Sequence, residues 1–243
     1  MYISYLEVSQ VRNLKSLKTD CHPLANIIYG VNGSGKTSLL EAIYLLGRGR
    51  SFRHRDLRLV VNHQAEELVV SAKIEKGMPA KVHQMGVRRT SSGKFAARFD
   101  GKTLQSSVQL ASELPLQLID AHSFNLLEGG HSQRRQLLDW GVFHVEQTYG
   151  DVWKRFQKAL KQRNQLLRHG RIEEESLSAW TAELVPLSEQ VSRLRDKYLS
   201  GLVKHVREVA RLFDGLGSLD IEYYQGWSAE TALAEVMSGD KKR

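Results

Sequence analysis

The order of apolar and polar positions divides the chain into a strand-rich first part and a helical second part. The opening segment YISYLEVSQVRNL alternates loosely, which predicts a strand with Ile3, Tyr5 or Leu6, and Val8 on its inward side. The run ANIIYG, residues 25–30, is β-branched and aromatic and ends in glycine. It predicts a short buried strand that leads into a turn.

The next segments alternate between helical and strand periods. TSLLEAIYLLG, residues 37–47, repeats apolar residues every three or four positions and ends in glycine, which predicts a helix with a glycine stop. From Asp56 to Asp100 a two-residue period returns, and Asp100-Gly101 is a hairpin-turn signal. An antiparallel β layer is therefore expected there. The apolar run LPLQLID follows, and SQRRQLLDWGVFH then opens a helix.

Beyond about Tyr149 the pattern is helical. Residues 152–169 place apolar side chains on one face and Lys or Arg on another, and a second helix carries Leu187 to Tyr198 at three-four spacing. The two helices predict an antiparallel hairpin, with Pro186 kinking or starting the second one. SLDIEYYQGW then predicts a strand, and SAETALAEVMS predicts a last helix.

Composition limits the class of protein. The 243 residues are 41% hydrophobic and 26% charged, with no apolar run of membrane-spanning length. The N-terminus has no export-signal pattern, and the single Cys21 cannot form an internal disulfide, so a cytoplasmic protein without a membrane partner is expected. The net charge of +8 favours a polyanionic partner such as nucleic acid.

One motif carries explicit chemistry. Gly30 to Thr37 matches G-x-x-x-x-G-K-[ST], the phosphate-binding loop of nucleotide-binding proteins. Backbone N–H groups of such a loop bind the phosphates of ATP, the lysine bridges the β- and γ-phosphates, and the Thr37 hydroxyl binds Mg²⁺. The predicted ATP-binding residues of the loop are Gly30, Val31, Asn32, Gly33, Ser34, Gly35, Lys36, Thr37 and Ser38.

A catalytic acid is harder to assign. LQLIDAH resembles an apolar strand ending in a magnesium-binding aspartate, but Asp120 is followed by Ala121, so no base is adjacent. LGSLDIE is a poorer match. The catalytic residues therefore stay unassigned.

Five segments together are specific: VRNLKSL, GVNGSGKTSLLEAIYLLGRGRSFR, LLEGGHSQRRQLLDWGVFH, LKQRNQLLR and ELVPLSEQV. Over the whole chain they resemble the RecF family of bacterial recombination mediators. The resemblance implies an α/β fold: a P-loop NTPase lobe of the SMC-like ABC ATPase type with an antiparallel β layer, and a helical-hairpin subdomain. It implies the lobe at residues 1–146 and the helical subdomain at 147–243, with Arg12 and Asn13 near the nucleotide.

The chain departs from this family at two places. Ala121 and His122 stand where the family shows Pro-Glu or Pro-Asp. The family's signature motif and its Walker B strand with paired aspartates, which follow later in its sequences, have no counterpart here. The sequence therefore predicts an N-terminal piece that binds ATP and Mg²⁺ without efficient hydrolysis.

The resemblance also implies the function and the partners. It implies an ATP-dependent protein of recombinational repair that binds double-stranded and gapped DNA. It further implies that the full-length protein forms an ATP-dependent homodimer and helps to load recombinase with RecO and RecR. Two other classes also contain such a loop: a metabolic P-loop kinase, which needs an acceptor pocket and a base, and a transporter ATPase subunit.

Three groups of basic residues are candidates for contact with DNA, although each also fits a solvated surface. They should read the backbone rather than the bases. The segment Arg48–Asp56 contributes Arg50, Arg53 and Arg55; the helix after Gly130 contributes Arg134 and Arg135; the hairpin contributes Lys154, Lys158 and Lys161, with Arg168 further along.

Overall fold

Six antiparallel strands, one helix of 13 residues and a shorter helix form the first part of the molecule. The structure is a computed structural model that describes residues 1–54, 56–168, 174–216, 219–228 and 230–239. The sheet order is β2-β1-β3-β4-β5-β6. The strands are β1 (Tyr2–Val11), β2 (Leu14–Asp20), β3 (Glu67–Lys76), β4 (Lys81–Thr90), β5 (Phe95–Phe99) and β6 (Lys102–Leu104).

The two-residue period of the strands gives the sheet one buried and one exposed face. The helix α1 (Lys36–Arg48) packs its apolar side, including Ala42, Leu45 and Leu46, on the buried face. A register shift between Ile3 and Tyr5 in the β1–β3 ladder places Leu6 rather than Tyr5 in the core. The predicted turn before β6 is confirmed, since Asp100 and Gly101 both have positive φ (46° and 79°).

The buried strand predicted at residues 25–30 is wrong. These residues have no regular secondary structure, and Ile27 and Tyr29 are 87% and 89% exposed. A short β-branched run becomes a strand only when another strand satisfies its backbone groups, and no strand of the described chain pairs with this one. Local propensity therefore did not decide its conformation.

The second part of the molecule is helical. The predicted hairpin is formed by α5 and α6, with the apolar residues of α5 packed on α6 around Ala159, Leu184 and Leu187. Pro186 lies inside α6 and does not start it. Burial of its neighbours Leu184 and Leu187 offsets the backbone hydrogen bond that proline cannot make. The helices are α2 (Ser107–Glu113), α3 (Asn125–Glu128), α4 (His131–Val145), α5 (Tyr149–Arg168), α6 (Glu174–Ala210) and α7 (Leu233–Gly239), with α2 belonging to the first part.

Helix α4 approaches α6 so closely that the contact requires glycine. A Cβ atom at Gly141 would overlap the phenol ring of Tyr198. Val142, Tyr149 and Val191 are buried beside this crossing and form their own apolar cluster. The close approach lets α4 share a core with the hairpin.

The chain divides into two compact units, Met1–Asp120 and Ala121–Arg243. This division comes earlier than the domain boundary predicted at residue 146, because α4 packs on the hairpin. All four tryptophans lie in the second unit. The strand predicted from SLDIEYYQGW is wrong for residues 219–227, which are irregular, and the last helix is present as α7. Among the described helices, none has the length and apolar character needed to span a membrane.

Candidate nucleotide-binding site

The glycine-rich loop leads directly into α1. Gly30, Gly33 and Gly35 have φ values of 148°, 83° and 99°, which other residues rarely adopt. Gly35 also lies against the β1–β2 turn, since a Cβ there would come within 2.6 Å of Leu14 Cδ2. The loop conformation therefore depends on the glycines that the motif specifies.

The first turn of α1 is open to an anion. Gly35 is its N-cap and provides no side-chain hydrogen bond, and no acidic residue lies in the first turn. The free N–H groups and the helix dipole therefore give this end partial positive charge. Thr37 is exposed in the same turn. Lys36 Nζ donates hydrogen bonds of 2.8 Å to the carbonyl oxygens of Gly30 and Val31, so its ammonium group lies against the loop.

Asn13 fixes the loop to the sheet. Its Nδ2 donates to the carbonyl oxygen of Gly33 at 2.7 Å, and its Oδ1 accepts from Ser38 Oγ at 2.7 Å. The structure thus brings together Asn13, the loop and α1, which the sequence predicted as one site. Its amide acts here as a brace between the loop and the helix.

Arg12 is held by a buried acid. Its Nε and Nη2 both donate to the carboxylate of Glu41, the latter at 2.9 Å, and its Nη1 donates to the carbonyl oxygen of Leu59 at 3.2 Å. Arg12 has a positive φ of 50°, and its carbonyl oxygen accepts from Asn62. All three guanidinium nitrogens of Arg12 thus already donate to oxygen atoms of the protein. The predicted contact of Arg12 with ATP stays a prediction.

Glu41 is the residue that sequence reasoning missed. It is fully buried, and Ser51 Oγ also donates to it. Burial alone would raise the pKa of Glu41, but hydrogen bonds from Arg12 and Ser51 and the charges of Arg12 and Arg53 outweigh it and lower the pKa. The sequence signal that could have identified Glu41 is its position as an acid on the apolar face of the helix LLEAIYLL.

Ser51 connects this ion pair to the first group of basic candidates. Its Oγ accepts from the backbone N–H groups of Arg53 and His54 at 3.0 and 3.1 Å, which shapes the chain after α1. Arg50 and Arg53 are exposed there. Arg55 lies outside the described residues.

The basic candidates of the second unit differ in their availability. Arg134 donates to the carbonyl oxygens of Leu126, Leu127 and Gly129 at 2.9 to 3.1 Å, so it caps the end of α3. The remaining candidates are exposed. They are Arg135, Lys154 (3.4 Å from Asp151), Lys158 (5.9 Å from the Trp180 ring centroid), Lys161 and Arg168.

Asp120 does not follow a strand. Residues 115–119 are irregular, and Ala121 and His122 begin a short 3₁₀ turn, Ala121–Phe124. No group of three His, Cys, Asp or Glu side chains suited to a metal ion occurs within the ranges that the structure describes.

Asp139, from the segment RRQLLDWG, joins three helices of the second unit. It accepts from Arg195 Nε and Nη2 at 2.7 and 3.0 Å, and from Tyr149 Oη. Burial works against the charge of Arg195, but the hydrogen bonds and charge of Asp139 outweigh it and raise the pKa of Arg195. Burial, followed by the hydrogen bond to Asp139, also raises the pKa of Tyr149. This network is structural and connects α4, α5 and α6.

Comparison with known proteins identifies the family and the fold class. Over 243 residues the chain is 44% identical to the DNA replication and repair protein RecF of Azotobacter vinelandii, covering 100% of this chain and 66% of that protein. It is 41% identical to RecF of a Marinomonas species, covering 98% of this chain and 64% of that protein. The chain thus spans about two thirds of the length of these curated relatives.

Solved structures give the same assignment. The structure of the recombination mediator protein RecF-ATP in the RecFOR pathway superposes with a TM-score of 0.74 at 26% identity, covering 86% of this chain and 58% of that chain. The RecF-ATPrS structure gives 0.78 at 25% identity, with 88% and 58% covered. The resemblance to RecF and the α/β ATPase fold class are confirmed. The model of the RecF/RecN/SMC N terminal domain matches residues 2–242, and the chain therefore belongs to that family.

Proposed function

We propose that this chain binds ATP with Mg²⁺ at the loop Gly30–Ser38 and that ATP controls its binding to DNA in replication and repair. The observation that carries the proposal is the glycine-rich loop entering the uncapped end of α1. A loop of this shape offers N–H groups and a helix dipole to phosphate oxygens. The RecF-ATP structure supports ATP as the nucleotide.

Each residue of the loop has a stated part in this proposal. The backbone N–H groups receive the β-phosphate, and Lys36 Nζ leaves the carbonyl oxygens of Gly30 and Val31 to contact the β- and γ-phosphates. Thr37, which is exposed in the first turn of α1, would hold a Mg²⁺ ion bound with ATP through its hydroxyl, and the ion would neutralise phosphate charge. Asn13 keeps the loop in register with α1. Arg12 stays paired with Glu41 and supports the turn that carries Asn13.

We further propose that this chain by itself hydrolyses ATP slowly. Hydrolysis needs a side chain that orients water beside the γ-phosphate. Glu41, the acid of the network beside the loop, is fully buried and held by Arg12, so it is not placed to activate water. Asp120 follows an irregular segment rather than a strand, which places it poorly for the magnesium shell.

The DNA and protein partners are proposed for the whole protein. The RecF relatives are named DNA replication and repair proteins, and the solved RecF structures are named for the RecFOR pathway. These names support a role in DNA replication and repair within that pathway. For the whole protein we propose binding of double-stranded and gapped DNA, cooperation with RecO and RecR in loading recombinase, and an ATP-dependent homodimer in the cytoplasm, as the resemblance to RecF implies. The net charge of +8 favours the DNA contact through phosphates.

A titration with a fluorescent ATP analogue and Mg²⁺ tests the nucleotide proposal. The wild-type chain is compared with Lys36→Ala and with Lys15→Ala, which removes an equal charge from exposed β2. Phosphate release is followed in the same samples, with and without gapped DNA. We expect Lys36→Ala to weaken binding at least about tenfold, since it removes the charged phosphate contact. Lys15→Ala should bind like the wild type.

The outcomes separate the proposal from its alternatives. Binding that does not depend on Lys36 contradicts a phosphate site at this loop. Fast phosphate release that requires Lys36 contradicts slow hydrolysis and directs attention to Asp120. Transfer of the phosphate to a small acceptor instead of water would indicate a kinase.

A further inference from the structure

The exposed face of the sheet contains a trough whose floor is Gly86. Two adjoining cavities of about 420 and 280 Å³ share Gly86 and Arg98 as lining residues. The trough lies on the face of the sheet opposite to α1 and the apolar core. The polar side chains that line its larger cavity are Tyr5, Glu7, Ser71, Lys73, Gln84 and Arg98.

No contact within the described part of the chain explains a glycine at this position. Gly86 lies in the middle of β4 and is absent from the glycines with positive φ. A Cβ there would have the Val70 carbonyl oxygen and Ser71 Cβ as its nearest neighbours, at 3.8 and 3.9 Å, which are ordinary contacts. Glycine inside a strand weakens it, and its remaining use is to let another molecule approach the backbone closely.

The walls of the trough carry positive charge that the chain leaves unneutralised. In the strand register Gly86 is opposite Ser71 on one side and Arg98 on the other, and Lys73 is two residues from Ser71. Lys73 and Arg98 are exposed, and neither makes an ion pair with an acid in the described part of the chain. Lys73 Nζ lies over the Tyr5 ring, 5.5 Å from its centroid, which holds it at the edge of the trough.

The acidic residue of the lining is already paired. Glu7 accepts from Lys18 at 2.8 Å, and the neighbouring Arg88 lies 3.5 Å from Glu67. Lys73 and Arg98 are therefore the cations of the lining that no acid of the described chain pairs with. Walls that carry two unpaired cations suit an extended anion better than a neutral peptide.

We propose that this trough binds the sugar–phosphate backbone of nucleic acid, with Lys73 and Arg98 each contacting phosphate and Gly86 allowing the backbone to lie on the sheet. The proposal deepens the proposed function and rests on its DNA arm, while using residues outside the three basic groups identified from the sequence. The contacts reach only phosphate and sugar, so binding is independent of base sequence and depends strongly on salt. An acidic protein segment is the competing occupant.

Fluorescence anisotropy with labelled duplex DNA, over a series of salt concentrations, tests the charges. The double variant Lys73→Gln/Arg98→Gln should lower affinity for all sequences equally and reduce the slope of log affinity against log salt by about two, one for each phosphate contact. The matched control Lys81→Gln/Lys94→Gln removes two exposed charges from the ends of the same sheet region. It should change affinity by less than about twofold at 0.15 M salt, since charges there are screened beyond about 8 Å.

Gly86→Val tests the trough without changing any charge. Valine favours strands and has room above the sheet, so the free energy of unfolding should stay the same or rise. Its side chain fills the floor, so duplex DNA affinity should fall while the control double variant still binds.

Each result has one meaning. Wild-type binding that neither Gly86→Val nor the Lys73/Arg98 variant weakens overturns the trough and leaves the proposed function standing. A wild-type chain that binds no duplex DNA at low salt, with or without ATP and Mg²⁺, overturns the DNA arm of the proposed function as well. Binding of polyglutamate in place of DNA, lost in the same variants, assigns the trough to acidic protein and overturns the nucleic-acid proposal.

Discussion

Glu41 lies in a helix whose neighbouring side chains on the same face are apolar, and its carboxylate is completely buried. It accepts from Arg12 and Ser51, which are 29 residues before it and 10 residues after it in the chain. These two hydrogen bonds to Glu41 therefore connect the end of β1 and the segment after α1 to the helix that begins at the phosphate loop. Breaking a buried pair at one partner leaves the other charge without compensation.

Glu41→Gln should destabilise the first unit by about 3 kcal/mol at pH 7, because Arg12 loses its counter-ion. The pKa of Glu41 is lowered in the folded state, so its stabilisation is present above its unfolded value of about 4.3 and is lost as pH falls through the folded value. The difference in the free energy of unfolding between wild type and variant should therefore shrink below about pH 4. Hydrogen exchange of peptides from residues 1–120, followed in urea, measures this free energy.

The control for this prediction is Glu66→Gln. Glu66 is an exposed acid directly before β3. Its substitution should leave the exchange of the same peptides unchanged. A Glu41→Gln chain that is as stable as the wild type at pH 7 would mean that Arg12 finds water or another acceptor. The Arg12–Glu41 pair would then not stabilise the first unit.

At the scale of elements, the helices of the second unit depend on contacts distant in sequence. Asp139 and Arg195 are 56 residues apart, and they connect α4 to α6 while Tyr149 adds α5. Asp139→Asn should destabilise this unit by about 3 kcal/mol, since it leaves the largely buried Arg195 without its acid. Because all four tryptophans lie in this unit, urea unfolding followed by tryptophan emission reports on it alone.

Asp151→Asn is the control for Asp139→Asn, since Asp151 is 89% exposed and 3.4 Å from Lys154. Exposed pairs of this kind contribute little, so the midpoint should move by no more than the experimental error. Equal midpoints for the two variants would show that the network around Asp139 is not what holds the three helices together.

Local patterns in the sequence predicted the elements that are stabilised locally. Helix α1, the strands β3 to β5 and the turn at Asp100-Gly101 follow from periodicity and turn chemistry. The segment 25–30 failed because a strand needs a partner, which propensity does not supply. The phosphate loop was predictable from its spacing, whereas the Arg12–Glu41 pair was not, since no local rule links residues 29 positions apart.

At the scale of the whole molecule, each unit contains its own apolar cluster, around Leu45 and Val70 in the first and around Val142 and Leu184 in the second. A ligand that binds only one folded unit stabilises that unit by mass action. The nucleotide site belongs entirely to the first unit, because Asn13, the loop and α1 all precede Asp120.

ATP with Mg²⁺ at a hundredfold excess over its dissociation constant should therefore stabilise the first unit by about 2.7 kcal/mol. The tryptophan-monitored transition of the second unit should not move, while hydrogen exchange in residues 1–120 should slow. Lys36→Ala should reduce the stabilisation to about 1.4 kcal/mol or less, since binding weakened at least about tenfold leaves at most a tenfold excess of ATP. If ATP shifted both the tryptophan-monitored transition and the hydrogen exchange of residues 1–120 equally, the two units would unfold together. Their separate apolar clusters would then not be independent units of stability.

The crossing of α4 and α6 has a consequence for how sequences of this kind can diverge. Since a Cβ at Gly141 would overlap the Tyr198 ring, a larger residue at 141 is admissible only when position 198 becomes smaller at the same time. Neither change is neutral alone, because Tyr198→Ala leaves a void and Gly141→Ala forces the helices apart. Among descendants of this chain, substitutions at positions 141 and 198 should therefore occur together. Sequences that carry only one of the two changes should be rare.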